Sequence, residues 1–232
     1  MTLNPAKDPT CVLAFDFEEG AGNTAYDLSQ YGNNGTIYGA TRTRGKIGWA
    51  LSFDGVDDYV RIPASASLDI TDEITLEACV KRDAENVEWE MIINKDPAGP
   101  PDVNWFLGIY NNTAVVRVNT DTVHDLNSGT FISAGSWFHI VGTYDGNYLR
   151  IFVNGKEKNS ISVTGKINAD TRDVHIGTAT GGTDYPFNGI IDQVRIYSRA
   201  LSEKEILEHY YYGIMQLSQK IPSRYIPSPL KV

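Results

Sequence analysis

The stretch Trp137–Lys158, WFHIVGTYDGNYLRIFVNGKEK, leaves few folds open to this chain. Asp145-Gly146 and Asn154-Gly155 each separate runs rich in β-branched and aromatic residues. Both central residues of a type I′ turn need positive φ, which Asn, Asp and Gly tolerate best. The stretch therefore predicts three strands running up and down within about 22 residues.

Similar signals recur along the chain. CVLAFDFEEG alternates Val12 and Ala14 against Leu13, Phe15 and Phe17, as in a strand buried on both faces. ITLEACVKR places Ile74, Leu76, Ala78 and Val80 on one face and Thr75, Glu77, Cys79 and Lys81 on the other. WEMIINKD and NWFLGIYNN read as successive strands, and Asn111-Asn112 turns the chain into TAVVRVNT. DVHIGTA and FNGIIDQVRIYSRAL supply the last two. In ALSFDGVDDYVRIP three carboxylates crowd into five residues, which reads as a hairpin reversing at Asp54-Gly55. This spacing, with almost no helical period, predicts an all-β fold: a two-sheet antiparallel β-sandwich of jelly-roll type.

One helix is expected, LSEKEILEHYYYG, with Ser202 as N-cap, Glu205 completing a capping box and Gly213 as its stop. Pro222, Pro227 and Pro229 predict an extended arm beyond it. The arm's apolar residues suit packing on this subunit or on a neighbour, and a frayed terminus is the other reading. The expected organisation is an N-terminal extension over residues 1–10, a domain over 11–213 and the arm over 214–232.

Net charge −9 opposes a phosphate-tracking surface, so nucleic acid is not an expected partner. No apolar run is long enough to span a membrane. MTLNPAKDPT has no apolar core and does not read as a signal peptide. Either a signal was removed or the protein leaves its cell by another route, such as a virus particle. The expected location is extracellular, on a cell surface or on a virion surface. Cys11 and Cys79 sit in apolar runs, as buried thiols or as a disulfide between core strands.

Five segments in order resemble laminin G-like modules with the concanavalin A-type lectin/glucanase jelly roll. They are FDFEEGAGNTAYDLSQYGNNGT, ALSFDGVDDYVRIP, ITLEACVKR, WFHIVGTYDGNYLRIFVNGK and FNGIIDQVRIYSRALSEKEI, spanning about Val12 to Tyr212. The resemblance implies two curved antiparallel sheets with a ligand surface on the concave face or loop rim, and often a structural calcium ion. Modules of this kind occur in bacterial extracellular enzymes, adhesins and viral structural proteins, so fold alone leaves the function open.

Glycosidases of this jelly roll alternate their carboxylates along one strand as E-x-D-x-x-E or E-x-D-x-E, and neither pattern occurs here. The nearest pair, Glu88 and Glu90 beside Trp89, reads as a solvated strand edge, and no enzymatic activity is expected. For calcium, the resemblance brings the YDLSQYGNNGT loop beside the closing strand and points to Asp27, a carbonyl near Asn34, and Asp192. Without a metal, Asp27 would cap its own turn and Asp192 would take backbone N–H groups. Sugar binding needs aromatic faces and planar polar groups, and the candidates are Trp89, Asn104, Trp105, Tyr110, Arg117, His124 and Tyr185. Trp105, after the loop DPAGPPDV, reads either as a rim platform or as core.

The leading expectation is a non-catalytic carbohydrate-binding or adhesion module with a glycan partner. The alternatives are a structural or decoration protein of a virus particle, assembling through residues 214–232, and a glycan hydrolase or lyase.

Overall fold

The computed structural model describes residues 7–85, 87–95 and 104–219. The strands begin with β1 (Cys11–Phe15), β2 (Thr24–Ala25), β3 (Gly35–Tyr38), β4 (Thr41–Arg44), β5 (Trp49–Asp54) and β6 (Tyr59–Ile62). They continue with β7 (Ile74–Arg82), β8 (Trp89–Lys95), β9 (Trp105–Tyr110), β10 (Thr113–Asn119) and β11 (Val123–Phe131). The last are β12 (Trp137–Tyr144), β13 (Tyr148–Val153), β14 (Lys156–Ser162), β15 (Val174–Ile176) and β16 (Asn188–Tyr197), followed by helix α1 (Glu203–Gln219). The first sheet runs β14-β13-β12-β7-β16-β5-β4, with β1 also on β16, and the second runs β11-β10-β9-β8-β15-β6-β3-β2. All the strand pairs are antiparallel, so the expected two-sheet sandwich is the observed fold.

Two of the expected hairpin dipeptides take positive φ at both residues, whereas at Asp145-Gly146 only Gly146 does, at 83°. Asn111 and Asn112 have φ of 44° and 66°, and Asn154 and Gly155 have 53° and 74°. At the β12–β13 turn, Asp145 Oδ1 accepts the N–H groups of Asn147 and Tyr148. The capping box also forms: Ser202 N–H donates to Glu205 Oε2 at 2.8 Å, and Glu205 N–H returns to Ser202 Oγ at 3.3 Å.

Two expectations are corrected. First, Asp54-Gly55 does not close a hairpin, because β5 belongs to the first sheet and β6 to the second. Residues 55–58 carry the chain across the sandwich. Asp54 Oδ1 accepts Val56 N–H and Asp58 Oδ2 accepts Asp54 N–H, which fixes the crossing. A hairpin and a crossing use the same turn residues, so alternation alone does not separate them. Second, α1 does not stop at Gly213 but continues to Gln219. Glycine inside a helix costs about 1 kcal/mol, and Met215, Gln216 and Leu217 are good helix formers. Residues 214–219 are therefore helical rather than extended, and 220–232 lie outside the described residues. Of the two readings of Cys11 and Cys79 the free thiols are observed, and burial pushes the Cys11 thiol up to about 12.

One core fills the space between the sheets, from Leu13, Phe15, Leu76, Val80, Ile140 and Ile196 on one side to Ile93, Trp105, Leu107, Val116 and Ile176 on the other. The layers approach closely at Gly142, where an added Cβ would lie 2.3 Å from Cγ2 of Val116. Two ionic groups also enter this space. Arg82 Nε donates to Glu90 Oε2 at 2.6 Å, tying the first sheet to the second. Lys95 Nζ donates to Leu68 O and to Asp69 Oδ1 at 2.9 and 2.6 Å. Glu90 is thus buried and paired rather than at a solvated edge, and its burial raises the carboxyl above the usual range.

The outer face of the first sheet is covered by α1. Glu77, 1% exposed, receives His139 Nε2 at 2.8 Å, Arg195 Nη1 at 3.0 Å and His209 Nδ1 of α1 at 3.0 Å. Those partners hold its carboxyl well below the usual range against the cost of burial. Alongside, β16 changes its neighbour: residues 188–191 pair with β5 and residues 194–197 with β1. The bulge between them puts Gln193 at φ 52° and buries Asp192, whose Oδ2 accepts Ile47 N–H at 3.0 Å. Burial raises the Asp192 carboxyl to about 7.

Gly142→Ala is expected to destabilise the domain by about 1–3 kcal/mol in urea unfolding, and Val116→Ala should recover part of that loss in a double-mutant cycle. Equal losses in the two backgrounds would disprove the close approach. The raised Asp192 carboxyl takes up a proton in the folded state that the unfolded state releases. Its contribution is a destabilisation that is complete above pH 7 and fades towards pH 4. The native protein should therefore gain on the order of 2–3 kcal/mol from this residue when the pH is lowered from 8 to 5, and Asp192→Asn should remove that gain. An unchanged pH profile in the variant would contradict it.

Candidate functional site

Alternation along the strands of the second sheet leaves one face turned away from the core. Register aligns a row directly across it: His175 opposite Asn94, Asn94 opposite Phe106, Phe106 opposite Arg117, and Arg117 opposite Asp125. Beside this row, Trp89 on β8 lies opposite Tyr110 on β9. Their rings are 4.4 Å apart between centroids, and Trp89 meets Phe106 edge-on at 5.7 Å.

The loop between β15 and β16 completes the cluster. Thr178 Oγ1 donates to the carbonyls of Gly182 and Asp184, and Thr180 Oγ1 donates to the Asp184 carboxylate. Met91 N–H donates to Tyr185 O at 3.0 Å, holding Tyr185 at φ 52°. A bulky residue adopts that backbone region only where its surroundings fix it. The Tyr185 ring then stands 6.2 Å from Trp89. Trp89, Tyr110 and Tyr185 remain partly exposed over buried Met91, Phe106, Val115 and Ala179.

Arg117 borders the aromatics. Its Nε and Nη2 bond Asp125 Oδ1 and Oδ2 at 2.5 and 2.6 Å, and its Cζ lies 4.9 Å from the Phe106 centroid. The pair presents planar donors and acceptors with no net charge. Further along the same face, Tyr38 stacks on Tyr59 at 4.6 Å, with His175 edge-on at 6.1 Å. Burial pushes the His175 imidazole down, towards its neutral form.

Of the sugar-site candidates, Trp89, Tyr110, Tyr185 and Arg117 come together. Trp105 does not: it is 0% exposed, because it lies opposite Lys95 and Val118 on the core side of β9. Asn104 is buried at the start of that strand, and His124 opposes core-facing Val118 and contacts Thr122 Oγ1. The loop before Trp105 lies outside the described residues. Phe106, Asp125, Tyr38 and Tyr59 do not stand out in the sequence. Strand alternation marks each as outward-facing, but the partner strand is needed to group them.

The residues proposed for calcium are engaged by other partners. Asp27 Oδ1 accepts the N–H groups of Ala14 and Ser29, while Oδ2 accepts Asn33 N–H and the Ser29 hydroxyl, all within 2.6–2.9 Å. Asn34 turns its Oδ1 to Asp27 N–H. Four donors saturate the Asp27 carboxylate, which caps its own turn, and Asp192 serves Ile47 instead. Asp27 and Asn34, committed to their own turn, do not fit a bound calcium ion. Asp54, Asp57 and Asp58 bring ligand oxygens within 4.8 Å of one another, but Asp54 and Asp58 are bonded to the N–H groups of their own turn.

Two hollows lie elsewhere. One of about 550 Å³, between β12–β13 and the segment Arg199–Glu205, is lined by Arg150 and Arg199, which pair with Asp145 and Glu205. The other, about 40 Å³ beneath α1 beside Cys79 and His139, has no room for a sugar ring. No described helix is long and apolar enough to cross a membrane.

A sequence profile of the concanavalin A-like lectin/glucanase superfamily matches residues 54–207. No curated protein sequence matches the chain. The solved binding domain of Paraclostridial Mosquitocidal Protein 1 superposes with a TM-score of 0.72 at 16% identity, over 87% of this chain and 52% of that one. The chain thus spans about half the length of that domain. Domain 4 of AbnA, a GH43 extracellular arabinanase from Geobacillus stearothermophilus solved with arabinotriose, gives 0.70 at 19% identity, over 86% of this chain and 97% of that one. The ligand binding domain of botulinum neurotoxin serotype D, solved with N-acetylneuraminic acid, gives 0.67 at 17% identity, over 88% and 51%. Identities this low speak to the fold alone. With its profile covering well over half of the sequence, the chain belongs to the concanavalin A-like lectin/glucanase superfamily.

Proposed function

We propose that this protein is a non-catalytic glycan-binding module whose ligand lies on the outer face of the second sheet, against Trp89, Tyr110 and Tyr185. The observation that carries this reading is that cluster: three partly exposed aromatic rings over a buried base, bordered by the Arg117–Asp125 pair. Sugar rings present C–H faces that pack on aromatic faces, and hydroxyls that bond planar polar groups. Structural neighbours solved with arabinotriose and with N-acetylneuraminic acid support a glycan as the ligand class.

The non-catalytic part of the reading is supported by the fate of the carboxylates. Glu90 of the Glu88/Glu90 pair points into the core and is held by Arg82, out of reach of a ligand. Asp125 is committed to Arg117. The role that follows is attachment to a glycan-bearing surface or polymer outside the cell.

Trp89→Ala and Tyr110→Ala are each expected to weaken retention on a glycan that binds the native protein by about tenfold. The test is affinity electrophoresis on a polysaccharide panel, with unfolding curves to establish that the variants fold. Folded variants that bind like the native protein, or a native protein retained by no polysaccharide, would refute the reading. Sugar release from a retained polysaccharide would refute the non-catalytic part alone.

A further inference from the structure

We infer that the Trp89–Tyr110–Tyr185 site selects neutral glycans and rejects acidic ones. The inference rests on the glycan-binding reading above and adds the chemical class of ligand. Solved neighbours of this fold carry both kinds, a neutral arabinotriose in one and the carboxylate sugar N-acetylneuraminic acid in another, so fold does not choose between them.

The charges around the cluster do. Recognition of a sugar carboxylate needs a cation free to form a charge-assisted, commonly bidentate, pair. The two arginines on this face are already engaged. Arg117 is bound in that bidentate way to Asp125, with its plane over Phe106. Arg61, beside Tyr59, is paired with Asp173 at 2.5 Å. An anionic ligand would have to displace a protein carboxylate already in place, with no gain in charge pairing.

The neighbouring side chains add repulsion. The exposed Asp184 immediately precedes Tyr185 in the loop that carries that ring. Together with Asp125 it sets two carboxylates against one guanidinium beside the cluster. The chain as a whole carries −9. Burial favours the neutral form of His175, so that ring adds no counter-charge. For an uncharged sugar the same arrangement is favourable. The side chain of Asp125 is 41% exposed and offers acceptor lone pairs to hydroxyls, and the rings offer apolar faces.

The test uses glycans with the same backbone that differ only in charge: lactose against sialyllactose, and methyl-esterified against de-esterified polygalacturonate. The neutral member of a bound pair should bind at least about tenfold more tightly at ~20 mM salt, and its affinity should change less than about twofold up to ~500 mM salt. The variant Asp184→Lys should gain retention of the acidic member at low salt and lose it again at high salt. Equal or tighter binding of the acidic member by the native protein, abolished by Trp89→Ala, would overturn the neutral preference while leaving the glycan reading intact. Binding of neither member of any pair, with Trp89→Ala indistinguishable from native, would instead overturn the glycan reading itself and the preference with it.

Discussion

The closing strand β16 is the constraint on which the first sheet depends. One of its edges is occupied by β7, and the other is shared by β5 and then β1, so strands from the start, middle and end of the chain meet on it. A strand that changes partner part-way must break its ladder, and the bulge at Asp192–Gln193 is where it does so. The break has two visible consequences. Gln193 takes a positive φ, and Asp192 is left buried with one oxygen on Ile47 N–H and a carboxyl raised to about 7. There the carboxyl group accepts Ile47 N–H from the turn between β4 and β5, which gives a polar residue in an apolar strand a structural reason to be there.

The two outer faces of the sandwich have consequently been put to different uses. On the first sheet, Glu77 gathers His139, Arg195 and His209, and α1 is docked over them with Leu201 and Ile206 against Val141, Phe152 and Tyr197. Covering that face turns an antiparallel sheet that could have met water into one buried on both sides. On the second sheet no helix docks among the described residues. Its aromatic residues, Trp89, Tyr110, Tyr185, Tyr38 and Tyr59, pack on one another and stay partly open to solvent. The ligand surface proposed above lies on the face the helix leaves open.

Much of this was legible in the sequence, and the exceptions share a cause. The main strands, the Asn111-Asn112 and Asn154-Gly155 turns and the Ser202–Glu205 cap are decided within a few residues, and each is found as expected. Trp105 and Asp54-Gly55 escape local pattern because their roles depend on partners distant along the chain. Whether Trp105 faces the core depends on its register with Val118 and Lys95, and one residue of slip would have turned it outward. Whether Asp54-Gly55 closes a hairpin depends on which sheet receives β6. Glu90 likewise reads as an edge residue until Arg82 arrives from the facing sheet.

The sequence by itself determined an all-β sandwich, its hairpins, its capped helix and a stock of aromatic and acidic side chains, because these follow from local φ preferences and from period-two alternation. Tertiary structure alone decided which of those side chains meet. It turned Asp27 into a saturated turn cap, drew Asp192 into a strand bulge and assembled Trp89, Tyr110 and Tyr185 from two strands and a loop. The reason is physical: register and sheet membership are set by the packing of residues far apart in the chain, and no local pattern encodes them.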